Sequence, residues 1–431
     1  MSPPVIGLLA IVVLLALILL RVHIGVAMGV VGFVGLLMLR GLDSTLLMAA
    51  EVPFQNINNY TLTVMPMFAL MGMVIAESRI GPDLFRACNA WLGRFRGGLA
   101  SATVVTAGFL GAICGSHLVG TVILSKVALP EMRNYKYDDA FAASTVAVGA
   151  PLSIIIPPSM SLIIYGIITE QAIGKLFMSG IFPGIIMIAV FIGIINFRCR
   201  KNPALGPKGD KYNLREMLRA ALGVLPVVVL FFIVLGGVYS GVFTVTESGA
   251  IGSLGAIIIS ICYKAINGKK FWLAVKETGA TIGMLFALLF GTHLFIRLVT
   301  LSTLPHVVSG FVVGLGAPIP VLMFLLCILY LLLGMFLPEI PMIILTVPVL
   351  FPALMAVGFD PIWLGMYLVL MMALGAITPP IGMLVFIASG LSGVPVPKLF
   401  KSVAPFIIGD LLVILLICIF PALCTWLPSL M

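Results

Sequence analysis

The sequence predicts an all-α polytopic membrane protein built as two inverted repeats, each with a re-entrant helical hairpin and a discontinuous transmembrane helix. Three observations lead there. Of 431 residues, 61% are hydrophobic and 9% charged, with a mean hydropathy of +1.25, whereas a soluble domain carries about 25% charged residues. Four long apolar stretches are interrupted near their centres. The interruptions also recur in order: Pro130 precedes Pro157 by 27 residues and Pro352 precedes Pro379 by the same 27, an offset of 222 between the halves.

Apolar windows long enough to cross about 30 Å of hydrocarbon fall at 4–20, 22–39, 60–76, 178–197, 221–240, 241–263, 278–298 and 403–427. These read as ordinary spans. The first reads as a retained span and not a leader, because no positive residue precedes it and Arg21 follows it. Residues 41–59 are too polar to cross and read as a helix or loop lying at the interface. Segments 99–130 and 318–354 break at Cys114–His117 and Gly334–Pro341. At 1.5 Å per residue neither half of either segment spans the bilayer, so each enters and leaves on one side as a hairpin. Segments 139–168 and 360–390 break at Pro157-Pro158 and Pro379-Pro380.

Cytoplasmic loops collect Lys and Arg. With the amino terminus outside, the cytoplasmic side holds Arg79, Arg86, Arg94, Arg96, the basic run 198–219, Lys264, Lys269, Lys270, Lys276, Lys398 and Lys401, and only Arg40, Lys175 and Arg297 fall outside. The net charge of +9 is therefore a topology signal and gives no support to nucleic-acid binding. Five crossings separate the hairpins, and an odd number puts them on opposite faces, so the repeats are inverted. The same offset lays Asp138 on Asp360 and Pro183 on Pro405, and KLF at 175–177 returns at 398–400, one residue further on.

Each proline pair removes backbone donors and clashes with the preceding turn, at about 3 kcal/mol in a helix interior. The expectation is that the carbonyls of Ser153, Ile154, Gly375 and Ala376 are released at bilayer depth, where unsatisfied groups are expensive. A bound cation would satisfy them. Ser153, Ser159 and Thr378 at the breaks, with Gly115, Ser116 and Gly334 at the hairpin tips, offer the oxygen ligands a hard cation prefers. No acid lies in either break, which favours sodium over a proton. The plainer alternative is that each pair only kinks a helix for packing; matched pairs beside matched hairpins argue for a site.

Intramembrane His and Lys are costly unless paired or wet, which makes His117 and Lys126 candidates to meet an anionic substrate. Ser116 and the pairs Pro157, Pro158 and Pro379, Pro380 complete the candidate substrate set. Against this, Lys126 can snorkel to the interface. Glu339 reads as facing an opening or solvent, and Glu247 as a structural hydrogen-bonder. The seven cysteines form no CxxC pair and read as packing residues. No Ser/Lys dyad, HExxH or filter repeat supports an enzyme or a channel.

The segments GAICGSHLVGTVILSKVALPEM (111–132), IIIPPSMSLIIYG (154–166), GKLFMSGIFPGI (174–185), GVFTVTESGA (241–250), GMFLPEIPMIILTVPVLFP (334–352), GFDP (358–361) and ITPPIGMLVFIASG (377–390) are together similar to the large membrane subunit of tripartite ATP-independent periplasmic (TRAP) transporters, within the ion transporter superfamily. The resemblance covers nearly the whole chain. It implies an elevator in which residues 99–168 and 318–390 form the transport domain. Residues 1–98, 169–317 and the C-terminal helix at 391–431 complete the protein as scaffold helices and flanking segments. It implies sodium as the coupling ion and an organic anion, typically a carboxylate, as cargo. It implies two partners, a small four-helix membrane subunit and a periplasmic binding protein, and a bacterial inner membrane with both termini periplasmic. Its sodium sites carry over onto Gly115, Ser116, Ser153 and Ser159, and onto Gly334, Gly375, Thr378 and Ile381. The family's Ser-Gly-Ser-Ser tip reads Cys114-Gly115-Ser116-His117 here, Lys126 replaces a small residue, Val245 replaces a proline, and Pro338 stands where an acid is common. A stand-alone sodium/dicarboxylate symporter or an ion exchanger of the same superfamily is the alternative reading.

Overall fold

The computed structural model describes residues 2–431 apart from Arg21 and Ser116, and leaves the side chains of residues 19, 55–57, 114, 118 and 119 undescribed. In hydrocarbon each backbone N–H and C=O needs a partner within its own segment, so the apolar patterning resolves into helices. The chain begins with α1 (Pro3–Leu19) and α2 (Ile24–Arg40), followed by α3 (Leu42–Ile57). The last covers the stretch read as interfacial, and it exposes Leu46, Leu47 and Phe54.

The first repeat then runs through α4 (Val64–Glu77), α5 (Ile80–Leu92), the hairpin α6 (Gly98–Cys114) and α7 (His117–Asn134), and the broken helix α8 (Asp139–Gly149), α9 (Leu152–Ile155) and α10 (Met160–Thr169), ending in α11 (Ile173–Ser179) and α12 (Ile181–Lys201). Two linking spans follow, α13 (Leu214–Tyr239) and α14 (Val245–Cys262). The second repeat follows the same order with α15 (Gly268–Leu301), α16 (Leu304–Gly314), the hairpin α17 (Ile319–Gly334) and α18 (Glu339–Ala356), the broken helix α19 (Pro361–Gly375) and α20 (Met383–Ser392), then α21 (Val396–Ile419), one helix where the first repeat has α11 and α12, and ends in the short α22 (Ala422–Ser429).

Local chemistry sets the boundaries. Asp138 caps α8 by accepting the Phe141 amide at 2.8 Å, and Asp360 caps α19 by accepting the Trp363 amide at 2.7 Å. The repeated acids are thus helix starts. Glu247 closes a capping box with Thr244 at the start of α14. The amphipathic α5 and its counterpart α16 precede the two hairpins and escape a search for 20-residue apolar windows because they are too short. By length and composition α18 could span a membrane. The Tyr330 hydroxyl on α17, however, bonds that of Thr346 on α18, so the two arms lie side by side. The window 403–427 divides, since α21 stops at Ile419 and Pro421 starts α22.

Two packing systems hold the chain. In the outer one, glycines bring α2 and α15 into backbone contact: a Cβ on Gly291 would lie 2.0 Å from the Gly25 carbonyl, the close approach that small residues permit between membrane helices. In the inner one the repeats interlock. The hydroxyls of Ser144 and Ser402 meet at 2.9 Å, the Tyr165 hydroxyl donates to the Pro361 carbonyl at 2.7 Å, and Trp363 Nε1 donates to the Ile417 carbonyl at 3.0 Å. At the base of the first hairpin Arg133 bonds Asp139 at 2.7 Å and the Ser392 carbonyl at 2.5 Å. Part of the basic run docks on the same base, where Gly97 N–H donates to the Gly206 carbonyl and Gly209 N–H to that of Gly93, each at 2.9 Å. The hairpin base and the basic loop therefore share one side, as the charge distribution required. Gly291→Ala should push α2 from α15 and cost about 1–3 kcal/mol; a thermal melt of the purified protein checks this, with a drop of several degrees expected.

Candidate ion and cargo site

Each helix break is a short non-helical segment, extended in the first repeat and a run of turns in the second. In the first, Ile156 and Ser159 are extended and Ser159 starts α10; in the second, residues 376–382 separate α19 from α20, with Gly382 left-handed at φ +52°. Both Pro–Pro bonds are cis. Each break is met by a hairpin. A Cβ added to Gly375 would lie 2.8 Å from the Gly334 Cα, so the end of α17 rests directly on the last turn of α19. In the first repeat, a Cβ on Gly111 would lie 2.4 Å from the Ser153 Cα, and one on Gly115, itself left-handed at φ +59°, would lie 3.0 Å from the Pro158 carbonyl oxygen. The two contacts are repeat-related. Gly111 was not among the sequence-derived candidates; the signal for it was the repeat, once the offset is allowed to vary by one residue.

The expected set of four released carbonyls needs correction. The Ser159 hydroxyl donates to the Ile154 carbonyl at 2.6 Å, the Gly375 carbonyl accepts the Thr378 amide at 3.2 Å, and the Ala376 carbonyl accepts the Leu384 amide at 3.1 Å. Three of the four thus have protein donors, because the non-helical segment folds back and supplies them. The hydroxyls tell a complementary story. Ser153 donates to the Ala150 carbonyl at 2.7 Å, and Thr378 to the Leu374 carbonyl at 2.6 Å. With Ser159, all three candidate hydroxyls commit their proton to a carbonyl, which leaves oxygen lone pairs facing outward as acceptors or cation ligands. Among the described residues no group of three His, Cys, Asp or Glu is placed to hold a metal, so the oxygens gathered at the breaks are those of backbone and hydroxyls. Ser116 lies outside the described residues. Pro157 and Pro158 are buried, whereas Pro379, Pro380 and Ile381 are exposed, so the second break is the more open of the two.

Between the tips and the outer helices lies a cavity of about 480 Å³, reached by Gly115, Met160 and Pro338–Pro341 from the inner bundle and by α2, α4 and α15 from outside. Glu339 lines it. His117 Nε2 sits 3.1 Å from Glu339 Oε2, within ion-pair distance though off the line of a hydrogen bond, and the side chains are 1% and 13% exposed. Of the two sequence readings of Glu339, an opening or solvent, the placement agrees with the opening, and it adds His117 as a neighbour. The two positions are 222 apart, the repeat offset itself, so equivalent residues of the two tips meet across the pseudo-symmetry axis. Lys126, nine residues beyond His117, is exposed on α7 and does not line the cavity. Asp410 on α21, 3% exposed, was not singled out from sequence; its signal was a lone acid inside the last apolar window.

Two repeated hairpins, each seated on a broken helix in an all-helical membrane chain, define a membrane transport protein and not an enzyme. The chain belongs to the family described as Tripartite ATP-independent periplasmic transporter, DctM component, whose model matches residues 11–423. It is 30% identical to the C4-dicarboxylate TRAP transporter large permease protein DctM of Pseudomonas aeruginosa, over 87% of this chain and 88% of that protein. It is 29% identical to the isethionate TRAP transporter permease protein DctMQ of Oleidesulfovibrio alaskensis, over 87% of this chain and 59% of that protein. Its fold matches the Alcanivorax borkumensis YdaH transporter, described as having an unusual topology, at a TM-score of 0.58 and 15% identity, covering 86% and 89% of the two chains.

The glycine contact is the part of the site most sensitive to one added carbon. Gly375→Ala should separate hairpin from break and abolish any sodium-dependent thermal stabilisation of the purified protein, while Gly310→Ala, whose Cβ meets open space, should leave it unchanged.

Proposed function

We propose that the chain is the large permease subunit of a sodium-coupled, binding-protein-dependent importer of an organic anion. The observation that carries this reading is the mirrored seating of Gly111 on Ser153 and Gly334 on Gly375. It gathers hydroxyl and backbone oxygens at two equivalent positions, as a hard monovalent cation requires. Sodium would bind beside Gly115, Ser116, Ser153 and Ser159, and beside Gly334, Gly375, Thr378 and Ile381.

The hairpins and broken helices would move as one body against the outer helices, in an elevator motion, because their polar contacts run mainly among themselves. The cavity between the two bodies is where cargo would ride. A small membrane subunit and a periplasmic binding protein would complete the system. The tripartite family name supports this, as does the extra length of the DctMQ relative beyond the matched region. The protein would sit in a bacterial inner membrane with both termini periplasmic, an orientation that the basic loop at the base of the first hairpin supports. The relatives' names, C4-dicarboxylate and isethionate, support an organic anion as cargo.

Proteoliposomes holding the permease, with the binding protein and small subunit supplied, test the reading. Uptake should require an inward sodium gradient and stop when sodium is replaced by choline. Thr378→Ala and Ser116→Ala should each raise the sodium concentration for half-maximal uptake about tenfold, equivalent to about 1.4 kcal/mol, with the protein still inserted. Unchanged sodium dependence in both variants would refute the assignment. Uptake that proceeds without any binding protein would favour the stand-alone symporter.

A further inference from the structure

We infer that the cavity between the hairpin tips and the outer helices takes an amphipathic monocarboxylate, with the carboxylate at His117 and an apolar body against α4 and α15, and that it disfavours dicarboxylates. The inference rests on the cavity being the cargo site of the proposed transporter, and it names the cargo class. At about 480 Å³ the space suits a small organic molecule. Its walls are mostly hydrocarbon, with Ala69, Met73, Met160, Met284, Leu285 and Leu288 among them.

The titratable groups are few. Glu339 from α18 and His23 at the start of α2 line the space, His117 on α7 touches Glu339, and among the described residues no Lys or Arg lines it. A dicarboxylate would bring two charges to apolar walls that already hold a carboxylate, with only the exposed, well-solvated His23 and, among the described residues, no Lys or Arg to meet the second. Burying an unpaired charge is strongly unfavourable. One carboxylate can be met, because His117 is 1% exposed and both its ring nitrogens lack an aligned hydrogen-bond partner, with only Glu339 within ion-pair distance. A carboxylate arriving there replaces a carboxylate. Glu339 therefore acts as a place-holder that occupies His117 until cargo arrives, and its displacement parts the two hairpin tips. The positive ends of α7, α10 and α18 converge on the same wall and favour an anionic group at the tips. The rest of the cargo then meets methionine and leucine.

Binding to the full-length chain in nanodiscs, measured by calorimetry with hexanoate, phenylacetate and succinate in sodium chloride, tests this. Hexanoate and phenylacetate should bind at least tenfold more tightly than succinate. His117→Gln should weaken hexanoate at least tenfold, and Glu339→Gln should tighten it several-fold. Met284→Arg, at a position 54% exposed and so tolerant of a larger side chain, should shift preference at least tenfold towards succinate. Melting curves confirm that each variant is folded. Succinate binding as tightly as hexanoate would overturn the inference, as would hexanoate binding that survives His117→Gln but is lost in Arg21→Gln. Repeating the titrations in choline chloride separates the two levels: sodium-dependent binding of succinate alone sinks the cargo class and spares the coupling, whereas sodium-independent binding of every probe sinks the coupling.

Discussion

The structure depends on backbone meeting backbone at two repeat-related points, Gly334 on Gly375 and Gly111 on Ser153. Unwound chain at bilayer depth survives only where protein or a wet cavity covers it, and here the cover is the end of a hairpin arm. The contact requires a small residue on the hairpin, a helix that stops, and a hairpin arm short of a full span. The glycines supply the first, the proline pairs the second, and the tip sequences the third. Together they let a hydrophobic protein keep unwound backbone in its interior, where the folded-back chain supplies donors to the carbonyls of Ile154, Gly375 and Ala376.

Much of this was legible in the sequence because the repeat is written in residues with strong backbone consequences. Single prolines such as Pro130 and Pro352 are carried inside continuous helices, but a pair of adjacent prolines breaks one and an aspartate before an apolar run caps one, so Pro157-Pro158, Pro379-Pro380, Asp138 and Asp360 announced the breaks and helix starts directly. Other features depend on contacts that no local pattern encodes. The helices α5 and α16 are too short to register as spans, and α5 is amphipathic besides. The carbonyls of Ile154 and Ala376 were expected to be free because the helical ladder stops there; the Ser159 hydroxyl and the Leu384 amide reach them only because the chain turns back after the prolines. The pairing of His117 with Glu339 joins residues 222 apart, and sequence alone had sent one to the substrate and the other to an opening or solvent.

That pair also shows what an inverted repeat does to chemistry. Residues at equivalent positions on a pseudo-twofold axis face each other, so near the axis a sequence difference between the halves becomes a contact between unlike groups. His against Glu is such a difference: identical residues there would set like against like, whereas the diverged pair sets an imidazole against a carboxylate. The breaks themselves, farther from the axis, keep their symmetry in geometry and lose it in exposure, with Pro157 buried and Pro379 open.

Cargo charge and ion number are linked through the membrane potential. One charge crossing 100 mV contributes about 2.3 kcal/mol, and each tenfold accumulation needs about 1.4 kcal/mol. Two mirror-related sodium positions carrying a dianion would move no net charge and would draw on the sodium gradient alone. The same two positions with a monocarboxylate move one net positive charge inward, so the potential adds more than a tenfold factor to the sodium gradient. If the cavity takes one carboxylate and sodium fills both repeat-related positions, cargo class and ion number are electrically consistent: a monocarboxylate is the cargo for which two symmetric ion sites would do electrical as well as chemical work.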